Sequence, residues 1–158
     1  MEINVLIDGD FADCPDKKWF RKIAEQVLMA QSTGENVELG LVITSQEKVQ
    51  ELNRTYRGVD KPTDVLAFNT NPATGKPVFP TPPDGIIRLG EVIISYPQTV
   101  RQAMEREHPV KRELAILIIH GVLHLLRYDH EKPGERRTMR TREAEILSSL
   151  SGELAGEQ

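Results

Sequence analysis

The sequence predicts a single α+β domain in which a small mixed sheet of about four strands is packed with about five helices. Three observations support this fold class. The 158 residues are 39% hydrophobic and 28% charged, as in ordinary globular proteins. Short apolar segments of strand length occur mainly in the first two thirds of the chain. Segments with the period of an α-helix separate them and then fill the last third.

The first three elements are a strand, a helix and a strand. Apolar and polar residues alternate in Glu2–Ile7, which predicts a strand with its apolar side chains on one face. Apolar residues recur at helical spacing from Asp16, and Gly34 marks the end of that helix. The apolar segment Val37–Ile43 is then predicted to be the second strand.

A second helix and a third strand follow. Thr44 and Glu47 have the spacing of a capping box, in which each side chain binds the other residue's backbone N–H. This pattern predicts a helix over Ser45–Tyr56. The short apolar segment Val65–Phe68 is the predicted third strand.

Proline divides the middle of the chain. Asn69–Gly85 holds five of the ten prolines and is predicted to be a loop, because proline lacks the backbone donor that sheets and helices require. We assign no function to this loop. Ile86–Ser95 is the predicted fourth strand, and Pro97–Glu107 is predicted to be a helix with proline in its first turn.

Two further helices complete the predicted domain. Val110–Leu126 is apolar on all sides over Ala115–Ile119, which indicates a buried helix at the centre of the fold. Glu135–Leu150 is the last predicted helix. Residues 1–150 are therefore assigned to one domain, and Ser151–Gln158 is expected to be a frayed C-terminal tail.

Composition and charge limit the function. The chain has one cysteine, so internal disulfides are excluded and a reducing, cytoplasmic setting is expected. Its first residues lack the pattern of a signal peptide, and no apolar run is long enough to cross a bilayer. The net charge of -4 excludes a general polyanion binder of the histone type. Basic residues occur in clusters, which we interpret as solvated helix faces. The last of these clusters is Arg136, Arg137, Arg140 and Arg142.

Three of the four histidines lie within eleven residues. His120 and His124 are one helical turn apart, so both imidazoles lie on one face, about 6 Å apart along the helix axis. A turn after the helix allows His130 to provide a third nitrogen. Three histidines and a water molecule form a common catalytic zinc site, and the pattern therefore predicts one bound Zn²⁺. Nickel, copper, cobalt and manganese accept the same ligands.

The histidine spacing equals that of the metzincin proteases, so a zinc peptidase is one alternative function. In those enzymes the residue after the first histidine is a glutamate that acts as the general base. That position is Gly121 here, and glycine cannot transfer a proton. The glycine that permits a sharp turn toward the third ligand is replaced by Arg127, so the turn requires another backbone geometry.

Two other charged residues are candidates for the reaction. Arg57 is predicted to lie in a loop, at the junction of a helix, a turn and a strand, where its guanidinium can bind a phosphate and stabilise negative charge. Glu113 lies seven residues before His120 on the same helical stripe, where it can orient a ligand or carry a proton. The alternatives are a surface ion pair for Arg57 and a helix N-terminal acid for Glu113. Asp60 and Asp64 are interpreted as turn and capping acceptors.

Three separated motifs together resemble the YbeY family of bacterial metal-dependent endoribonucleases. They occur in the family's order and cover most of the chain. They are Leu52 and Asn53 with Tyr56, Arg57, Asp60 and Pro62 to Phe68; then Leu89 to Ser95; then His120 to His130. Met139, Glu143 and Leu147 also fall where the family has such residues. The chain departs from the family pattern at Ala67, Glu91, Val92 and Arg127, of which only Arg127 lies within the histidine motif.

The resemblance implies a zincin-like fold and single-strand-specific cleavage of RNA. It implies that His120, His124 and His130 bind zinc and that Arg57 acts beside the metal. The expected role is maturation of the 3′ end of small-subunit ribosomal RNA and ribosome quality control. Implied partners are the small ribosomal subunit, one of its proteins and the GTPase Era. A ribosome assembly factor with a structural metal and no catalysis is the second alternative, besides the peptidase.

Overall fold

The computed structural model describes residues 1–69, 85–126 and 133–154. These residues form four strands and six helices. In chain order they are β1 (Glu2–Ile7), α1 (Lys17–Ala30), β2 (Val37–Thr44), α2 (Gln46–Arg57), β3 (Val65–Phe68), β4 (Ile87–Ser95), α3 (Tyr96–Glu105), α4 (Val110–Leu125), α5 (Pro133–Ser149) and α6 (Ser151–Leu154). The predicted α+β class is confirmed. Each predicted strand and helix is present, and the bounds differ by at most two residues except in α1, which ends at Ala30, four residues before the predicted stop at Gly34.

The sheet is mixed, as predicted, and its strand order is β1-β2-β4-β3. β1 and β2 are parallel, as are β2 and β4, whereas β3 pairs antiparallel with β4 at the edge. The register of β4 shifts by one residue before Gly90. Gly90 has φ 127°, and a Cβ there would lie 2.0 Å from the carbonyl oxygen of Phe68, so the bulge requires glycine.

The helices cover the two faces of the sheet differently. The face with Leu41 and Val92 is buried against α1 and α4 in the main core. On the opposite face, Leu66 and Ile93 pack with Val49 of α2 in a smaller cluster. α4 contacts α1, α3, α5 and α6 as well as β3 and β4. No side chain caps its N-terminus. Burial of its apolar side chains therefore stabilises α4. Each fully buried leucine or isoleucine contributes about 1.5–3 kcal/mol of transfer free energy.

Two details of the predicted elements are wrong. α2 is capped by Ser45, whose Oγ accepts a hydrogen bond from the backbone N–H of Lys48 at 3.2 Å. Thr44, the predicted cap, instead ends β2 and is buried. The expected frayed tail also begins later, because Ser151–Leu154 forms α6 and Leu154 is buried in the main core.

Parts of the prediction lie outside the described residues. They are 70–84 of the proline-rich loop and 155–158 of the tail. The assignment of residues 1–150 to one domain stays a prediction. Among the helices of the described residues, none has the length and apolarity that a membrane span requires.

Candidate metal centre

The C-terminal half of α4 carries two histidines that are more open than the rest of the helix. Ten of the 16 residues of α4 are buried, whereas His120 and His124 are only partly buried. The side chain of His120 is 40% exposed. One helical turn separates the two imidazoles, so they lie on the same face of α4. A buried helix therefore carries two partly exposed imidazoles, which are candidate metal ligands.

Glu143 of α5 orients the first of these histidines. Its Oε2 lies 2.7 Å from Nδ1 of His120. This hydrogen bond raises the pKa of His120 above its usual 6.5. Burial lowers the pKa, and the negative charges of Glu143 and Asp64 raise it further. A carboxylate on one ring nitrogen is the usual partner of a metal-binding histidine, because it fixes the ring and directs the other nitrogen to the metal. The surroundings of His120 therefore fit a zinc ligand.

An open pocket of ≈ 290 Å³ lies between His120 and one side of α5. It is lined by His120, Arg136, Met139, Arg140 and Glu143. The pocket thus combines an imidazole with two guanidinium groups. A candidate metal ligand and cations that can bind a phosphate therefore occur at the same place.

Gly121, the residue after the first histidine, lies directly against the sheet. A Cβ at this position would be 2.7 Å and 2.9 Å from the two γ-carbons of Val92 in β4. α4 therefore approaches β4 too closely for a side chain at residue 121. The general base that the metzincin pattern needs at this position is absent and also has no space.

The third predicted ligand, His130, and the departure at Arg127 lie outside the described residues. Among the described residues, no group of three or more His, Cys, Asp or Glu side chains is arranged to hold a metal ion. The described part of the chain thus supplies His120 and His124, and the complete ligand set stays a prediction.

Residues on both sides of β3 lie close to the histidine helix. Asp64 precedes β3, and its charge contributes to the raised pKa of His120. Asn69 follows β3, and its Nδ2 donates to the carbonyl oxygens of Leu89 at 3.2 Å and Leu125 at 3.3 Å. Asn69 therefore joins β4 to the end of α4, the point from which the chain continues toward the third histidine.

Arg57 is the last residue of α2, and the prediction that it lies in a loop is wrong. Gly58 ends the helix with φ 71°, a left-handed conformation that glycine adopts without strain. Asn53 Nδ2 donates to the carbonyl oxygen of Lys61 at 3.0 Å and so stabilises the turn toward Asp64. Within the described part of the chain, the exposed Arg57 forms no hydrogen bond or ion pair. Its catalytic role stays a prediction.

Glu113 is fully buried at the junction of α3 and α4. Its Oε2 accepts hydrogen bonds from Gln102 at 2.8 Å and Arg106 at 2.6 Å, and its Oε1 lies 2.6 Å from Nε2 of His108. These contacts join α3 to the first turn of α4, about 10 Å along the helix from His120. They support a structural role for Glu113. A role in orienting a ligand or carrying a proton stays a prediction that these contacts do not favour.

Comparison with known proteins identifies the family of this chain. The chain matches the family model described as "Endoribonuclease YbeY" over residues 10–151. The chain belongs to the endoribonuclease YbeY family. A protein named endoribonuclease YbeY from Dehalococcoides mccartyi is 51% identical over 137 residues, which cover 84% of this chain and 80% of that protein. One of the same name from Roseiflexus sp. is 41% identical over 149 residues, covering 94% and 92%.

A solved structure shows the same fold. The solution structure of TM1509 from Thermotoga maritima is similar to this chain with a TM-score of 0.63 and 25% sequence identity, covering 96% of this chain and 90% of that one. Membership of the YbeY family favours neither of the two alternatives, the metallopeptidase and the assembly factor without catalysis. The contact between Gly121 and Val92 is independent evidence against the metallopeptidase.

Sequence patterns do not assign a role at the candidate metal centre to four of the residues near His120. They are Asp64, Arg136, Arg140 and Glu143. Glu143 has a weak local signal, since it lies between the buried Met139 and Ile146 on one stripe of α5. A carboxylate on an otherwise apolar stripe needs a polar partner.

Proposed function

We propose that this chain is a zinc-dependent endoribonuclease that cleaves single-stranded RNA. The 2.7 Å contact between Glu143 and Nδ1 of His120, with His124 one turn away, carries the proposal. A carboxylate-oriented histidine pair beside an open pocket with two arginines suits the cleavage of a phosphodiester. Membership of a family of endoribonucleases supports the same substrate class.

In this proposal, different residues bind the metal and stabilise the negative charge. His120, His124 and His130 would hold one Zn²⁺, with water at the fourth position. Bound there, Zn²⁺ would supply Lewis-acid chemistry that polarises a phosphate oxygen or lowers the pKa of water. Glu143 accepts a hydrogen bond from Nδ1–H of His120 and keeps the ring in place. Arg57 binds the phosphate and stabilises the negative charge of the transition state, for which one donor contributes about 10²–10³ in rate.

The finer parts of the proposal rest on the family resemblance. The substrate would be the 3′ end of the small-subunit ribosomal RNA precursor, cleaved during maturation and ribosome quality control in the cytoplasm. The small ribosomal subunit, one of its proteins and the GTPase Era would be the partners. The helices and the sheet would have a zincin-like arrangement around the metal.

Cleavage of a labelled RNA that spans this 3′ end tests the proposal. Wild type, His124→Ala and His108→Gln are purified side by side. His108→Gln is the matched control, because His108 binds Glu113 at the other end of the α4 region. We expect cleavage by wild type and by the control, and none by His124→Ala. Cleavage by His124→Ala at the wild-type rate would contradict the proposal.

Arg57→Ala tests the role of the arginine separately, with Arg54→Ala in the same exposed last turn of α2 as its control. Arg57→Ala should bind zinc normally and cleave about 10²–10³-fold more slowly. If the chain binds zinc but does not cleave the RNA, and Arg57→Ala loses ribosome association, the assembly factor would be favoured instead.

A further inference from the structure

α5 presents two arginines to the pocket beside His120. Arg136 and Arg140 both line the pocket, together with Met139 and Glu143. They are four residues apart, so their side chains lie on the same face of α5 one turn apart. Both residues are exposed. A phosphodiester that reaches His120 therefore lies next to two cationic groups.

The neighbouring arginines of α5 have other surroundings. Arg142 binds α1, because its Nε donates to the side chain of Gln31 and a terminal nitrogen donates to the carbonyl oxygen of Ala30. Arg137 is exposed, and it is not among the residues that line the pocket. Arg140 forms no hydrogen bond or ion pair within the described residues. Among the described residues, none therefore uses the charge of Arg140 in an ion pair that stabilises the fold.

The charge balance of the pocket differs from that of the whole chain. The net charge of -4 repels RNA at long range. At the pocket, the carboxylate of Glu143 is bound to His120, whereas Arg140 has its full charge available. Guanidinium groups bind phosphate oxygens through two parallel hydrogen bonds.

We propose that Arg140, together with Arg136, is a positioning residue that binds a backbone phosphate of the RNA next to the bond that is cleaved. This inference rests on the proposed function, because its ligand is the RNA that the histidine site would cleave. Such a contact fixes the path of the strand across the pocket without selecting bases, and it makes RNA binding depend on salt.

The test measures binding of a fluorescein-labelled single-stranded RNA to the zinc-loaded full chain. Stopped-flow anisotropy follows association before cleavage, and the cleavage rate is then measured on the same RNA. Arg140→Gln is compared with Arg137→Gln, which removes the same charge one residue away from the pocket. Both residues are exposed, so both variants should melt at the wild-type temperature.

Arg140→Gln should raise the Kd about tenfold at low salt, whereas Arg137→Gln should change it by less than about twofold. The slope of log Kd against log salt concentration should fall by about 0.7 in Arg140→Gln, which is the value for one lost phosphate contact on a single strand. Adding Arg136→Gln to Arg140→Gln should weaken binding further.

Equal effects of Arg140→Gln and Arg137→Gln on the Kd and on its salt dependence would overturn the inference. If wild type cleaves the RNA and the two variants are equal, the proposed function stands and the inference fails. If wild type binds the RNA through Arg140 without cleaving it, the phosphate contact at the pocket is confirmed and the proposed function fails.

Discussion

The close contact between Gly121 and β4 allows a quantitative prediction. Gly121→Ala places a methyl carbon 2.7 Å and 2.9 Å from the γ-carbons of Val92, which is fully buried. Val92 is β-branched and has little rotamer freedom with which to adapt. Overpacking of this kind costs about 1–3 kcal/mol, against about 1 kcal/mol gained because alanine favours the helix. We expect a net loss of up to about 2 kcal/mol in the free energy of unfolding.

Two further variants make this prediction decisive. Gly134→Ala in α5 is the matched control, since nothing lies within 4 Å of a Cβ there, and it should be neutral or slightly stabilising. Val92→Ala removes the two γ-carbons, so it should make Gly121→Ala tolerable, with a coupling energy of about 1–2 kcal/mol. Urea denaturation of each variant and the double variant measures these values. If Gly121→Ala behaves like Gly134→Ala and adds to Val92→Ala without coupling, the reasoning is refuted.

Three more predictions concern charged residues. Glu143→Gln should lower zinc affinity by about 10–100-fold in a chelator competition assay; an equal loss in the exposed Glu145→Gln would show that the contact with His120 is not responsible. Zinc binds only the neutral imidazole of His120, and the hydrogen bond to Glu143 raises the pKa of that imidazole above 6.5. In a pH titration, zinc affinity should therefore fall as the pH drops through the raised pKa. In Glu143→Gln the same fall should occur at a lower pH. The free energy of unfolding of the zinc-free chain should depend on pH in the opposite direction. The charged His120–Glu143 pair stabilises the fold at low pH, and this stability is lost as the pH rises through the raised pKa of His120. Glu113→Gln should lose about 1–3 kcal/mol of stability in urea and keep its kcat; a lower kcat with normal stability would identify Glu113 as a proton carrier.

The helices and strands are predictable because their patterns are local. In α1 the cap, Asp16, accepts a hydrogen bond from the backbone N–H of Trp19 at 2.9 Å, and the apolar spacing follows within the same helix. The cap of α2 shows the limit of local patterns. Thr44 and Ser45 are adjacent hydroxyl residues, and burial of Thr44 in the sheet decides that Ser45 caps the helix. The strand order depends on contacts between distant segments, which no local pattern contains.

The same distinction applies to the site. His120 and His124 are predictable as a pair because one helix holds both at a spacing of four residues. The partner of His120 is 23 residues away on α5, so its role depends on how α5 packs against α4. The charge of Asp64 reaches the site through the position of β3 beside α4. Tertiary packing therefore completes a site that the histidine helix begins.

Zinc content per chain tests most directly whether His120 and His124 hold a metal ion. Wild type, His124→Ala and His108→Gln are loaded with zinc, dialysed and measured by inductively coupled plasma mass spectrometry, with circular dichroism to verify folding. We expect about one zinc per chain in wild type and His108→Gln and essentially none in folded His124→Ala. A full zinc ion in His124→Ala would contradict the assignment, because the imidazole one turn from His120 would then not be a ligand.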